Sequence, residues 1–247
     1  MEGIRARLLE ETRAHAAANA AIANRDRLLA IFSHDLRNLL NVLAVNAEVF
    51  LKTDGDRAVT GADNIRRSVA RMDRLLSNLL DLARLNAGLL DMTLRPFDLL
   101  DLAREAVDLF QPLAELGSID LELVCGDASL PVLLDHDRVF QVFSNLLSNA
   151  IRYTKSQGKI RISGAKVDGA VRVSIENSGP RIPEEDLERV FEVYRRLESG
   201  GRDGLGLGLY ISRAIVHGHG GRMWATSRPG GNTFTFTIPS AGDTARP

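Results

Sequence analysis

Cysteine, proline and aromatic residues are scarce in this sequence of 247 residues. A single cysteine, Cys125, excludes an internal disulfide and is typical of an intracellular protein. Aromatic residues make up 5% of the chain, and no uninterrupted apolar run is long enough to span a bilayer. Alternating charges occupy the N-terminus in place of the apolar stretch of a signal peptide. We therefore expect a cytoplasmic location and no membrane segment in this chain.

An excess of charge of one sign is also absent. The sequence has 31 Lys and Arg against 32 Asp and Glu, which leaves a formal net charge of −1. That balance gives no argument for binding nucleic acid or an anionic membrane surface. The hydrophobic fraction of 45% and the charged fraction of 26% are typical of a soluble globular protein. The length is sufficient for two ordinary domains, each with its own core.

Proline is missing from the whole stretch before Pro96, which is rich in Ala, Leu, Arg and Glu. These residues are good helix formers, and the absence of proline removes the usual helix breaker. A turn-rich stretch, Lys52–Asp56, separates two segments with helical apolar periodicity. The pattern predicts an antiparallel helical hairpin, with arms from about Ile4 to Leu51 and from about Arg57 to Leu90.

Each predicted helix carries a broad apolar stripe. The stripes consist of Leu28, Phe32, Leu36, Leu39, Leu43 and Phe50 in the first helix, and of Ile65, Val69, Met72, Leu76, Leu79 and Ala83 in the second. Two such faces cannot bury fully against each other, whereas a four-helix bundle made by two chains buries both. We therefore expect a homodimer. Packing of the hairpin against a second domain is the alternative.

After a boundary near residues 92–97 the pattern changes to mixed helices and strands. The predicted helices are Asp98–Leu113, Asp135–Tyr153, Pro183–Arg196 and Leu209–His217, and the predicted strands are Ser118–Val124, Lys159–Ser163, Val171–Glu176, Arg222–Ser227 and Thr233–Ile238. A glycine-rich segment, Gly200–Gly208, precedes the last helix. The mixture predicts an α/β sandwich, with one largely antiparallel sheet and helices on one face.

His34 lies on the first predicted helix and points roughly 200° away from the apolar stripe. This position predicts a solvent-facing imidazole, not a core histidine. Asp35 is adjacent, and Asn38 lies one turn further along the same face. A neighbouring carboxylate can hold one ring nitrogen protonated and leave the other as a nucleophile. The pattern fits phosphoryl acceptance or general-base work, and an incidental surface histidine is the alternative.

Asn145 and Asn149 are four residues apart on a predicted helix, so both amides project from one face. They flank Leu146 and Leu147, which suggests a polar edge directed at a ligand. Mutual hydrogen bonding of the two amides is the alternative explanation.

Two glycine-containing turns follow in the sequence. Glu176–Pro183 (ENSGPRIP) ends a predicted strand, and its Gly179 permits close approach of a flat base, although a simple turn would also need glycine. Gly204, Gly206 and Gly208 lead directly into a helix, where exposed N–H groups and the helix dipole favour phosphates. This loop matches neither the Walker A pattern nor the dinucleotide-binding fingerprint.

Taken in order, these segments resemble the sequence motifs of sensor histidine kinases. FSHDLRN resembles the family's H box, NLLSNAIRYT its N box, ENSGPRI its G1 (D) box, FEVYRR its F box and DGLGLGLYI its G2 box. The resemblance covers the chain from about Arg25 to Ile238. It implies a signalling helix or coiled-coil linker over residues 1–24, a HisKA-type dimerisation and phosphoacceptor domain over 25–92, and a Bergerat-type ATP-binding domain over 97–240.

The resemblance also implies a role for each matching residue. His34 corresponds to the phosphoacceptor, Asp35 to the adjacent acid that acts as its base, and Asn38 to the polar residue associated with dephosphorylation of the partner regulator. Implied nucleotide-binding residues are Asn145, Asn149, Arg152, Tyr153, Asn177, Gly179, Arg196, Gly204, Leu205, Gly206 and Gly208.

Within the nucleotide-binding set, Asn149 corresponds to the Mg²⁺ ligand, and Arg152 stands where a phosphate-contacting Lys is usual. Asn145 stands where related ATPases carry a water-activating Glu. An amide cannot act as a general base, so phosphoryl transfer is favoured over hydrolysis.

Three positions depart from the family pattern. Leu39 replaces a frequent proline, which predicts a less kinked helix after His34. Asn177 replaces the usual Asp that accepts the adenine amino group, so the bond is no longer charge-assisted. Arg181 replaces the second glycine of the turn and adds bulk beside the base pocket.

The predicted function is ATP-dependent autophosphorylation of His34, followed by transfer to an aspartate of a response regulator receiver domain, with ATP and Mg²⁺ required. The alternatives are a phosphotransfer or scaffold protein with a decayed nucleotide site, and a serine kinase of the anti-sigma type. The helical hairpin that carries His34 and Asp35 argues against the last. No sensor domain is recognisable in this chain, and no nucleic-acid partner is expected.

Overall fold

A computed structural model of the chain describes residues 40–45, 47, 48, 50, 56–86, 91–125, 129–193 and 206–241. Six of the predicted site residues lie outside the described residues: His34, Asp35, Asn38, Arg196, Gly204 and Leu205. The chain divides into two compact units, Met1–Ser77 and Asn78–Pro247.

Helices dominate the described part of the first unit. Residues 40–45, 47, 48 and 50 form the described part of helix α1, and α2 spans Asp56–Asn86. The predicted second helix of the hairpin is therefore confirmed, and Arg84 in its last turn interacts favourably with the helix dipole. Val69, Leu76 and Leu80 lie on one side of α2 and are each about half exposed. These three side chains therefore form an apolar stripe on α2 that the described residues do not fully cover.

Three helices and seven strands make up most of the remaining described chain. Their bounds are α3 Leu99–Leu116, α4 His136–Tyr153, α5 Gly208–Gly218, β1 Arg95–Asp98, β2 Asp120–Val124, β3 Pro131–Leu134, β4 Lys159–Val167, β5 Ala170–Asn177, β6 Met223–Arg228 and β7 Gly231–Pro239. The main sheet has the strand order β2-β4-β5-β7-β6, while β1 and β3 form a separate two-stranded antiparallel sheet. Among the described strands of the main sheet, the β2–β4 pair is parallel and the other pairs are antiparallel. The main sheet is therefore mixed.

The core lies between one face of the main sheet and the apolar faces of the helices. In α4 the buried side chains recur with helical spacing: Val139, Val142, Phe143, Leu146, Leu147 and Ala150. Phe143 meets Phe236 of β7 edge to face, with ring centroids 5.6 Å apart. Alternating burial along β4 and β5 leaves the other sheet face exposed. The predicted α/β sandwich is confirmed.

The predicted helix Pro183–Arg196 is wrong over its described part. Two short 3₁₀ helices, Glu184–Asp186 and Arg189–Phe191, occupy this stretch, and Glu192 is extended. Phe191 packs edge to face on Phe234, and the Arg213 guanidinium lies 5.0 Å from the Phe191 ring centroid. These tertiary contacts outweigh local helix propensity.

Aspartates cap the two longer helices of the sandwich. Asp98 precedes α3, and its Oδ1 accepts hydrogen bonds from the N–H groups of Leu100 (2.9 Å) and Leu130 (3.0 Å), while its Oδ2 accepts from the Ser129 hydroxyl (2.6 Å). Burial alone would raise the pKa of the Asp98 carboxyl, but these hydrogen bonds hold it below its usual value. Asp98 therefore caps α3 and also joins it to the chain before β3.

Asp135 caps α4 and connects it to two other parts of the chain. Its carboxylate accepts from the N–H groups of Arg138 (3.2 Å) and Thr93 (2.9 Å), and its own N–H donates to His219 Nε2 (3.0 Å). His219 is buried, and its Nδ1 donates to the Ile215 carbonyl at 2.8 Å, so both ring nitrogens are engaged in the neutral imidazole. Burial lowers the pKa of His219. The start of α4 is thereby joined to the end of α5.

The end of α2 belongs to the second unit and packs on α4. Asp81 is buried and accepts hydrogen bonds from Arg138 and Gln141, both at 2.6 Å.

No helix within the described ranges is long and apolar enough to cross a membrane.

Candidate ATP-binding site

Helix α4 places three of the predicted ligand residues on one edge. Asn145, Asn149 and Tyr153 follow one another at intervals of four residues, and all three are half-buried. Helix α4 therefore places the Asn145 and Asn149 amides on one face, as their spacing predicts, and Tyr153 follows one turn later. Their surroundings differ, and so do the roles that each can take.

Asn145 is engaged in contacts with α5. Its Nδ2 donates to the Gly208 carbonyl (3.2 Å) and to the Ser212 hydroxyl (3.1 Å). A Cβ at Gly208 would lie 3.2 Å from Asn145 Oδ1, so the absence of a side chain lets the two helices approach closely. Asn145 therefore positions the start of α5, a structural role that its residue type alone does not reveal.

Asn149 has no such engagement. Its side chain makes no hydrogen bond to any residue that the structure describes. A half-buried amide with a free oxygen is suited to a hard cation or a ligand hydroxyl. One turn on, the exposed Arg152 holds its guanidinium 5.7 Å from the centroid of the Tyr153 ring. The C-terminal half of α4 thus presents an amide, a cation and an aromatic ring together.

The turn after β5 lies against the end of α4. Asn177, the last residue of β5, is only 4% exposed. Its Nδ2 donates to the Thr154 hydroxyl at 3.4 Å, and its Oδ1 accepts no hydrogen bond from a described residue. Buried polar atoms are normally paired, and an unpaired one in a native structure indicates a missing partner. Asn177 Oδ1 is therefore suited to accept from a ligand.

Gly179 is required by the packing of this turn. A Cβ at Gly179 would lie 2.5 Å from Asn177 Nδ2 and 2.9 Å from the Tyr153 carbonyl oxygen. Both distances are shorter than real contacts permit, so any side chain would displace the turn from α4. The residues that the sequence assigned to separate motifs, Tyr153 and Gly179, are therefore neighbours in space.

Sequence reasoning missed Asn232, which holds the far end of the same turn. This buried side chain accepts at Oδ1 from the Ile182 N–H (3.1 Å) and the Ser227 hydroxyl (2.7 Å), and donates from Nδ2 to the Pro180 carbonyl (2.8 Å). Asn232 lies directly opposite Asn177 in the β5–β7 register. Only the long-range strand pairing makes this role visible, since nothing in the local sequence marks it.

The glycine-rich segment is described from Gly206 onward. Gly206 has φ +67°, a left-handed conformation that favours glycine, and Leu207 is buried. Among the described residues no side chain caps the start of α5, so its first N–H groups are suited to an anion. Gly206 and Gly208 therefore lie where the sequence predicts a phosphate-binding helix start.

Two family models match the chain. "His Kinase A (phospho-acceptor) domain" matches residues 24–88, and "Histidine kinase-, DNA gyrase B-, and HSP90-like ATPase" matches residues 134–242. The chain is 30% identical over 226 residues to the adaptive-response sensory kinase SasA of Microcystis aeruginosa (strain NIES-843), a match that covers 87% of this chain and 59% of the relative. The chain thus spans about three fifths of that curated relative.

Solved structures agree with these matches. The nucleotide-free catalytic domain of histidine kinase ThkA is 39% identical, with a TM-score of 0.56, and the match covers 60% of this chain and 97% of that domain. ThkA in complex with the response regulator protein TrrA is 28% identical, with a TM-score of 0.68 and coverage of 89% and 63%. The phosphoacceptor and ATPase family models match in the order that the motifs predict, and the ThkA catalytic domain agrees with them. The chain therefore belongs to the sensor histidine kinase family.

Proposed function

We propose that this chain is the catalytic core of a sensor histidine kinase. ATP bound by the α/β sandwich phosphorylates His34, and the phosphoryl group then passes to an aspartate of a response regulator receiver domain. The observation that carries the proposal is the buried Asn177 amide, one end of which is unpaired among the described residues, in a domain that also carries the Asn149 amide and the start of α5. This arrangement occurs on an ATPase fold that follows a phosphoacceptor domain in the same chain.

The described residues suit the parts of a nucleotide. Asn177 Oδ1 accepts from the base, and the start of α5 after Gly206 receives phosphate oxygens. Asn149 offers an amide oxygen to Mg²⁺, which in nucleotide sites needs few protein ligands because phosphates and water complete its coordination. Bound Mg²⁺ would neutralise phosphate charge. Arg152 contributes a further positive charge near the phosphates, and Tyr153 flanks the nucleotide.

Asn145 favours transfer to His34 over hydrolysis. Its amide cannot accept a proton from water at neutral pH, and its Nδ2 is already committed to Gly208 and Ser212. This position of α4 therefore supplies no general base that would activate water for hydrolysis. The γ-phosphoryl group is therefore preserved for the imidazole of His34.

The remaining assignments rest on the sequence motifs. We propose that Asp35 acts as the base for His34, that Asn38 takes part in dephosphorylating the regulator, and that Arg196, Gly204 and Leu205 belong to the nucleotide site. The domain boundaries at residues 24/25 and 92/97 are proposed on the same ground. The cytoplasmic location stays a prediction.

The response regulator is proposed by analogy with ThkA, which was crystallised in complex with the response regulator protein TrrA. A scaffold protein with a decayed nucleotide site is not favoured, because Asn149, Gly179, Gly206 and Gly208 keep the chemistry that a nucleotide requires.

Two ATP samples, labelled at the γ or at the α phosphorus, test the proposed function. With Mg²⁺ present, the full chain should become labelled from γ-labelled ATP and not from α-labelled ATP. Labelling from α-labelled ATP alone would indicate nucleotidyl transfer, with pyrophosphate as the leaving group, and equal labelling from both would indicate retained ATP. No labelling from either would contradict kinase activity.

Asn177→Ala is expected to weaken binding of a non-hydrolysable ATP analogue by roughly 3- to 10-fold. The variant removes one neutral hydrogen bond to the base, which contributes about 0.5–1.5 kcal/mol. Titration calorimetry on the full chain measures the affinity. Thr235→Val is the matched control, since it removes a buried hydrogen bond to Ser174 (3.1 Å) in the same sheet but away from the turn. Unchanged affinity in Asn177→Ala would place the base elsewhere.

We further propose a homodimer, because Val69, Leu76 and Leu80 form an uncovered apolar stripe on α2. Leu76→Glu should shift the chain from dimer to monomer at micromolar concentration, since a charge would enter the buried core of the four-helix bundle. Light scattering measures the mass. Leu113→Glu, at a similarly exposed leucine of α3, should leave the dimer intact. A dimer that persists in Leu76→Glu would contradict this interface.

A further inference from the structure

The Asn177 amide has two chemically different ends of nearly the same shape. One end, Nδ2, points at the Thr154 hydroxyl across 3.4 Å, and the other is unpaired among described residues. Both side chains are buried, with exposed fractions of 4% for Asn177 and 7% for Thr154. Water is thus largely excluded from this pair, so a ligand that contacts the amide must match its donor or acceptor.

Thr154 does not dictate which end of the amide faces it. A hydroxyl donates one hydrogen bond and accepts others, so Thr154 can accept from Nδ2 or donate to Oδ1. Rotation of the amide by half a turn exchanges one neutral hydrogen bond for another of similar strength. The bond to Thr154 is also long, at 3.4 Å, so little is lost in the exchange. The unpaired end can therefore be either an acceptor or a donor.

The purine bases differ at the position that such an amide would contact. Adenine carries a 6-amino group, which donates, whereas guanine and hypoxanthine carry a 6-oxo group, which accepts. An ionised carboxylate can only accept hydrogen bonds, so it cannot bond to the 6-oxo group, which is also an acceptor. An amide can bond to either group, because its nitrogen donates and its oxygen accepts.

We propose that the nucleotide site of this chain accepts 6-oxopurine nucleoside triphosphates as well as ATP. Asn177 determines this tolerance: with ATP its Oδ1 accepts from the 6-amino group while Nδ2 donates to Thr154. With GTP or inosine triphosphate its Nδ2 donates to the 6-oxo group while Thr154 donates to Oδ1. The inference rests on the proposed function, because it requires the base to lie against Asn177.

Titration calorimetry of the full chain with Mg²⁺ and ATP, GTP or inosine triphosphate tests the inference. Inosine triphosphate has the 6-oxo group without the 2-amino group of guanine, so it separates hydrogen-bond matching from steric exclusion. The dissociation constant for inosine triphosphate should lie within about tenfold of that for ATP, whereas a site built to match one hydrogen-bonding group rejects the mismatch by about 10⁴-fold or more.

Asn177→Asp is the diagnostic variant. The carboxylate should bind ATP several-fold more tightly than the amide does, because the bond becomes charge-assisted, and should reject inosine triphosphate by at least about 100-fold. Thr154→Val removes the hydroxyl that serves both orientations. It should weaken ATP and inosine triphosphate by similar factors and leave their ratio unchanged, while Thr154→Ser should restore both affinities. Thermal unfolding of each variant verifies that the domain is folded.

The outcomes are distinct. ATP binding with rejection of inosine triphosphate by about 100-fold or more in the unsubstituted chain would overturn the inference and leave the proposed function standing. Failure to bind any of the three nucleotides would overturn the proposed function and the inference with it. Equal tolerance of inosine triphosphate in Asn177→Asp would show that Asn177 does not determine the preference.

Discussion

Replacement of His34 by glutamine is expected to reduce incorporation of the ATP γ-phosphoryl group by at least about 100-fold, because the variant removes the nucleophile itself. Glutamine is a good helix former and is polar, as histidine is, but its amide nitrogen is not nucleophilic. ATP affinity should be unchanged, since the nucleotide is proposed to bind in the other domain. Label incorporation and calorimetry on the same preparation measure the two quantities.

His217→Gln is the matched control for His34→Gln. His217 is exposed near the end of α5, and the proposed mechanism gives it no role. This variant should be labelled as the unsubstituted chain is. Labelling of His34→Gln at the normal level would mean that a different residue accepts the phosphoryl group, and would contradict the assignment of the H box.

Asp98→Ala is expected to lower the free energy of unfolding of the α/β sandwich by about 2–4 kcal/mol. The variant removes the cap of α3 and leaves the N–H of the buried Leu130 without its acceptor. Urea unfolding, followed by circular dichroism, measures the change. Asp108→Ala is the matched control: it removes an exposed carboxylate from the same helix and should change the stability by less than about 0.5 kcal/mol.

The difference in the free energy of unfolding between the unsubstituted chain and Asp98→Ala should depend on pH, in the direction set by the shift of the Asp98 pKa. The folded state lowers the Asp98 pKa below its usual 3.8, so the folded state binds fewer protons than the unfolded state does in that range. The contribution of Asp98 is therefore fully present above the unfolded value and is lost as the pH falls through the lowered, folded pKa. The stability difference between the unsubstituted chain and Asp98→Ala should accordingly narrow in acid. A difference that does not change with pH would contradict this account.

Long amphipathic helices with clear caps could be predicted closely from the sequence. The predicted helix Asp135–Tyr153 differs from the observed His136–Tyr153 only in whether the capping Asp135 is included. The placement of Asn145 and Asn149 on one edge followed from their spacing alone. Local rules suffice where a pattern of many residues repeats and the ends carry capping chemistry.

Features that depend on distant parts of the chain could not be predicted in this way. Strands β1 and β3 have four residues each, too few for an alternating pattern to stand out, and they exist because they pair with each other. The predicted helix after Pro183 gives way to packing of Phe191 on Phe234. The role of Asn232 likewise depends on a turn some fifty residues earlier.

The chemistry of the phosphorylated residue tests the central claim most directly. The full chain is incubated with γ-labelled ATP and Mg²⁺, denatured, and divided between acid and alkali. A phosphoryl group on imidazole nitrogen is lost in acid, because protonation of the ring makes it a good leaving group, and it survives in alkali. The proposed function predicts label that acid removes and alkali leaves in place, whereas acid-stable label, typical of phosphoserine or phosphothreonine, or no label at all would contradict it.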